Sequence, residues 1–198
     1  MVQINNIGEL DYDRINTSEE WNDCEGNELI MHTIHSYPAK FPAFIASKAF
    51  DYAEKEGVQI KKVSDIFCGC GTVALEAKMR GYSFWGCDIN PVATLIAKTK
   101  SNIYDCKEIE RYYQKILGNI KKYELPLDLY KRANQRLKYW YYETTYCNLY
   151  KVYQAIREEI PEGKYREAFE CVFSSILKAS SKWLTKSIKP QVDPEKKR

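Results

Sequence analysis

The residues with the most chemical content are Asp65-Ile66-Phe67-Cys68-Gly69-Cys70-Gly71-Thr72. Glycines at a strand-to-helix bend let the backbone come close to a ligand, because a side chain there would collide with it. The helix that follows offers unpaired N–H groups at its start. Asp88, 17 positions after Gly71, falls where the next strand should end, a place from which a carboxylate takes ribose hydroxyls. Gly69-x-Gly71-x-x-Ala74 with Asp88 also fits the dinucleotide fingerprint, so spacing alone leaves a nicotinamide cofactor open. Asp65 bears on that choice. A carboxylate just before the glycines repels a pyrophosphate but attracts a ligand carrying an ammonium and a sulfonium. The charge pattern therefore favours S-adenosylmethionine, with an ordinary tight turn as the plain alternative.

Other reactive residue types carry less. His32 and His35 are the only histidines, and two without a third ligand make a poor metal site. The seven cysteines are odd in number and form no paired CxxC framework, which points to reduced, unliganded thiols. Between Tyr139 and Tyr153 lie six tyrosines and one tryptophan. Rings interleaved with Lys and Arg can stack on bases. Trp140, Cys147 and Tyr150 nevertheless recur at helical spacing, so core or subunit interface is the expectation for most of them.

The elements that must position the glycine bend can be read around it. His35-Ser36-Tyr37-Pro38-Ala39-Lys40-Phe41-Pro42 holds two prolines and reads as extended or turn. A helix is expected from Ala43 to Glu56, closed by Gly57, then a strand from Lys62 to Phe67. Thr72 to Arg80 reads as helix, Tyr82 to Cys87 as a second strand, and Pro91 to Lys100 as a helix with proline in its first turn. Strand, glycine loop, helix, strand, acid, helix opens a doubly wound α/β sheet. Beyond Asp105 the pattern is helical, over Cys106 to Tyr123 and Leu127 to Trp183, interrupted at Pro126 and Pro161-Glu162-Gly163. The organisation is thus an acidic segment (1–34), a cofactor-binding part (35–105), a helical region (106–185) and a basic tail of irregular pattern (186–198).

The 198 residues suit one domain or one domain with an extension. Apolar residues make up 44% and charged residues 29%, as in soluble globular chains. No apolar run reaches the roughly 18 residues of a membrane span, and the N-terminus lacks a signal-peptide pattern, so a cytoplasmic location and no membrane partner are expected. Residues 1–30 hold eight acids and one base, which leaves 29 bases against 19 acids in the rest. That balance is compatible with a polyanionic partner, and equally with a solvated basic face.

At this point the residues resemble a known family. Asp65-x-Phe67-x-Gly69-x-Gly71-Thr72 resembles motif I of the bacterial DNA amino-methyltransferases, which make N4-methylcytosine or N6-methyladenine. Tyr37-Pro38-Ala39-Lys40-Phe41-Pro42, preceded by His35, is similar to their upstream motif X. Cys87-Asp88-Ile89-Asn90-Pro91 resembles their second-strand motif, and Tyr139-Trp140-Tyr141 with 169–175 resembles the helical insertion of one bacterial branch. The resemblance implies a class I, Rossmann-like fold, present here as an incomplete parallel sheet with an α-helical extension. It implies that Phe67, Cys68, Gly69 and Gly71 line the methionine and adenosine side of the cofactor pocket. Asp65 would lie near the amino group and Thr72 at the helix start. Asp88 would bind the ribose, Ile89 pack on the adenine and Asn90 complete the motif. Tyr37, Lys40 and Phe41 would close over the methionine moiety, with His35 organising the pocket. Against this, Phe67 and Ile89 also read as plain core, and Lys40 as a solvated surface base.

The family's catalytic loop, an Asp-, Asn- or Ser-Pro-Pro-aromatic stretch that clamps a flipped base, has no counterpart here. Prolines 38, 42, 91, 126, 161, 190 and 194 each stand alone. With only two convincing strands, the sheet's edges and faces would stay open. The expectation is a split enzyme whose second subunit carries the Pro-Pro-aromatic loop, acting on DNA in a restriction-modification setting, with a truncated gene product as the rival explanation for the missing loop. An RNA methyltransferase, an inactive cofactor-binding regulatory module and a nicotinamide-dependent protein are the rival readings.

Overall fold

The computed structural model describes residues 28–38, 40–184, 187, 189–194 and 196. Proline decides where the first long helix begins. Pro42 is extended at the N-cap, and α1 (Ala43–Lys55) buries Ala43, Ala46 and Phe50 along one stripe. Strand β1 (Lys62–Asp65) leads through the glycine bend into α2 (Thr72–Met79), and β2 (Ser83–Gly86) returns beside β1. The strands are parallel, pairing Lys62 with Ser83 through to Asp65 with Gly86. A parallel pair needs a crossover, which α2 supplies, packing its Ala74, Leu75 and Ala77 out of water. The strands alternate: Val63 and Phe84 are half-buried, while Lys62, Ser64, Ser83 and Trp85 are exposed. Among the described residues the sheet has these two strands, so each keeps one unpaired edge.

Helix α3 (Pro91–Ser101) starts where the Asn90 side chain accepts from Val92 N at 3.0 Å. The chain then runs through α4 (Cys106–Asn119), α5 (Leu129–Arg132), α6 (Gln135–Trp140), α7 (Glu143–Glu159) and α8 (Lys164–Ser180). Two buried clusters hold these pieces. Tyr112, Ile116, Ala155, Ile156 and Ile160 join α4 to α7, with Tyr165 and Phe169 of α8 packed against them. Cys70, Ile96 and Cys171 join the glycine bend to α3 and α8. Helix α8 belongs to both clusters. A helix a hundred residues downstream is thereby fixed beside the glycine bend.

The structure departs from the sequence expectations in three places. Strand β1 stops at Asp65 rather than Phe67, because Phe67 N turns to the Asp65 carboxylate at 3.0 Å. The stretch 127–183 is cut more often than its prolines suggest. Asn134 takes extended backbone and caps α6, and Tyr141 and Tyr142 are extended between α6 and α7. The tail, expected to be irregular, is tied back to the helical region by an isolated antiparallel bridge from Val192 to Trp183. Of the acidic segment, residues 1–27 lie outside the described residues. Its end forms a short 3-10 turn, Ile30–Thr33, whose buried His32 places Nε2 2.9 Å from Glu76 Oε1 on α2. Among the described residues no helix is long and apolar enough to cross a membrane.

Candidate cofactor site

The glycine bend holds its shape because its backbone is paired. Cys87 N donates to Asp65 O at 3.1 Å and Cys68 N to Cys87 O at 3.0 Å, so the parallel ladder runs on past both strand ends. Gly71 N then donates to Cys68 O at 2.8 Å, closing a tight turn. Gly71 caps α2 with φ +75°, and a Cβ there would lie 2.6 Å from both Cα and Cβ of Ala97. Only glycine lets α2 and α3 approach this closely.

Asp88 braces the bend from the other strand. Gly69 N donates to Oδ2 at 3.0 Å, and Asn90 N donates to Oδ1 at 2.8 Å. Each carboxylate oxygen retains a second lone pair for an outside hydroxyl. Asp65 and Asp88 together make the bend electronegative. The Cys68 thiol registers this: burial pushes its pKa up, and the two carboxylates push it further. A field of that sign suits a cationic ligand and disfavours a pyrophosphate.

A cavity of about 290 Å³ opens against the bend, lined by Tyr37, Lys40, Phe41, Asp65, Phe67, Cys68, Gly69, Cys70, Thr72 and Val73. Tyr37, Lys40 and Phe41 form one wall, and the stretch that carries them is tied at three points. His35 Nε2 lies 3.1 Å from Ser174 Oγ on α8, Asn90 Nδ2 donates to Tyr37 Oη at 3.2 Å, and Lys40 Nζ donates to Glu28 Oε2 at 2.6 Å. The hydrogen bond from Lys40 holds the Glu28 carboxyl below its usual range. Burial lowers the His35 pKa, with the Lys100 charge acting in the same direction. Thr72 Oγ1 on the cavity wall is buried without a hydrogen-bond partner, as a group awaiting a ligand would be.

Of the residues singled out by sequence, His35, Gly71, Asp88, Ile89 and Asn90 do not line the cavity itself. His35 sits against α8, Gly71 packs under α3, Asp88 braces the loop and Asn90 links the segment to α3. Ile89 is 101% exposed and Phe67 83% exposed, so the reading of either as plain core fails. Lys40 is ion-paired rather than merely solvated. Sequence reasoning missed Cys70 and Val73, both inside the bend-to-helix span and therefore within its reach. It also missed Lys100, 1% exposed, whose Nζ lies 3.5 Å from Cys70 Sγ. The signal was available: Ala93, Ile96, Ala97 and Lys100 follow the buried stripe of α3.

The family model for the D12 class N6 adenine-specific DNA methyltransferases matches residues 45–191, from α1 to the tail. The Type II methyltransferase M.MvaI of Kocuria varians is 25% identical over 158 residues, covering 75% of this chain and 34% of that protein. The chain thus spans about a third of the length of this curated relative. No solved structure matches.

Proposed function

The chain belongs to the D12 class N6 adenine-specific DNA methyltransferase family, and on that premise we propose that it is the S-adenosylmethionine-binding portion of an enzyme methylating an exocyclic amine of DNA, adenine N6 by the family's description. S-adenosylmethionine is the family's standard cofactor, and supplies an electrophilic methyl group on its sulfonium. The chain's residues would bind and orient it. Asp65 faces the ammonium and Lys40 the carboxylate, while Tyr37 and Phe41 exclude water on the methionine side. Asp88 offers its remaining lone pairs to the ribose hydroxyls, and the exposed Ile89 and Phe67 offer apolar faces to the adenine. The observation that carries this reading is the carboxylate-flanked bend, with Asp88 braced on Gly69 N at 3.0 Å. The fold in this reading is the opening of a class I, Rossmann-like sheet.

The prolines of these 198 residues stand singly, so the base-clamping loop comes from sequence outside them. We assign that loop, the remaining strands and target recognition to a second subunit. The unpaired strand edges support the part of this assignment that concerns the strands, since open edges favour completion by further strands. The test is transfer of radiolabelled methyl groups to duplex DNA by the copurified assembly. Transfer that disappears with Asp88→Ala is expected. Transfer to RNA alone, or none despite cofactor binding, would move the protein to one of the rival classes.

A further inference from the structure

The aromatic run between Tyr139 and Tyr153 is not used by the cofactor site, yet its first residues build a second cavity. About 510 Å³ in volume, within the ~300–1,000 Å³ range of small-ligand sites, it lies between α6, α8 and the Trp183 segment. Its shape is set by backbone. Lys182 N donates to Trp140 O at 2.8 Å, and Trp183 N to Ser181 Oγ at 3.1 Å. The two indoles are therefore held stacked, centroids 5.4 Å apart and planes 24° from parallel. Lys178 Nζ stands 4.8 Å from the Trp183 ring, and Arg136 joins it in the lining. Asn134 uses its oxygen to cap α6, which leaves its amide N–H donors for a ligand.

Among the described residues, Arg136, Lys138, Lys178 and Lys182 form no ion pair with a carboxylate. A free anion would have no use for the indoles, and a neutral planar ligand none for the cations. A strand carrying both bases and phosphates uses both. Position agrees with this. Ser174 of α8 meets His35 at the cofactor segment, and Lys178 is four residues on, about 6 Å along the same face.

We propose that this pocket is a nucleic-acid contact site that stacks one unpaired base of the DNA against the Trp140–Trp183 pair, with Lys178 and Arg136 on the flanking phosphates. The proposal rests on DNA being the substrate. Binding of the full chain to labelled single-stranded DNA, by fluorescence anisotropy over a salt series, tests it. Arg136→Ala with Lys178→Ala should weaken binding roughly tenfold and make the logarithmic salt slope shallower by about 1.4, while Lys107→Ala with Lys115→Ala on α4 leaves both unchanged. Trp140→Leu should cost roughly fivefold or more with base-bearing DNA and little with an abasic strand. Tryptophan emission should likewise respond to bases and not to the abasic strand. Equal losses for the α6/α8 and α4 variants, equal quenching by the abasic strand, or tighter binding of RNA through these residues would overturn it. An assembly that binds S-adenosylmethionine and methylates DNA undiminished after Arg136→Ala with Lys178→Ala would overturn this site alone. A chain that binds DNA through these residues but takes no cofactor would overturn the proposed function and leave the site standing.

Discussion

Gly71→Ala and Gly81→Ala form a matched pair that isolates one packing contact. The two glycines have nearly the same backbone, φ +75° and +77°. Placing an alanine in that left-handed region costs about 1–2 kcal/mol at either position. The surroundings differ. A Cβ at Gly81 meets nothing within 4 Å, whereas at Gly71 it meets Cα and Cβ of Ala97 at 2.6 Å. The obstacle is helix backbone in the buried interior, so it cannot swing aside as a side-chain tip can. Forcing α2 and α3 apart adds about 1–3 kcal/mol, the usual cost of overpacking. Gly81→Ala should thus lower the unfolding free energy by about 1–2 kcal/mol and Gly71→Ala by about 2–5 kcal/mol. Urea unfolding followed by circular dichroism gives both numbers. Titration of S-adenosylmethionine should show weakened binding for Gly71→Ala only, because that shift deforms the bend. Equal destabilisation of the two variants would refute the argument that close helix approach fixes this glycine.

Three further perturbations follow from the same geometry. Asp88→Ala removes the acceptor for Gly69 N and Asn90 N; it should cost about 2–4 kcal/mol in urea unfolding and weaken cofactor binding at least about tenfold by calorimetry. His32→Ala opens a cavity and removes a partner from the buried Glu76, leaving it Arg80 at 3.4 Å; a loss of about 2–4 kcal/mol in the same assay is expected, with cofactor affinity changed far less. His35 supplies a pH dependence. Its folded pKa lies below the ordinary 6.5, so as pH falls through 6.5 the unfolded chain takes a proton that the folded chain refuses. Stability from this group is present above 6.5 and declines below it. The drop in urea midpoint from about pH 7.5 to about pH 5.5 should therefore be smaller in His35→Gln than in the parent.

How much of this was legible in the sequence depends on whether a residue acts locally. The bend, α2, the two strands and α3 follow from glycine, proline and alternation, each a short-range rule, and they fall within two residues of the expected limits. Asp65, Cys68 and Gly69 were found for the same reason. The role of Asp88 as a brace on Gly69 N was not, because it depends on two strand ends lying side by side. The anchoring of His35 on Ser174 spans 139 residues, and no local pattern announces it. The breaks around α6 come from Asn134 capping and from Tyr141 and Tyr142 in extended backbone, which tertiary contacts settle against tyrosine's tolerance of helix. Of the aromatic run, Tyr139 is exposed and Trp140 half-buried, so these two are not core of this chain, which leaves the subunit-interface and base-stacking readings for them.

The central claim is that an acid-flanked glycine bend holds a cationic methyl donor. Isothermal titration of the purified protein, with its natural companions present, against S-adenosylmethionine and separately against a nicotinamide dinucleotide tests it most directly. Saturable heat with the first, competed by S-adenosylhomocysteine and lost in Asp88→Ala, is the predicted result. Absence of heat with the methyl donor, or preference for the dinucleotide, would contradict the account.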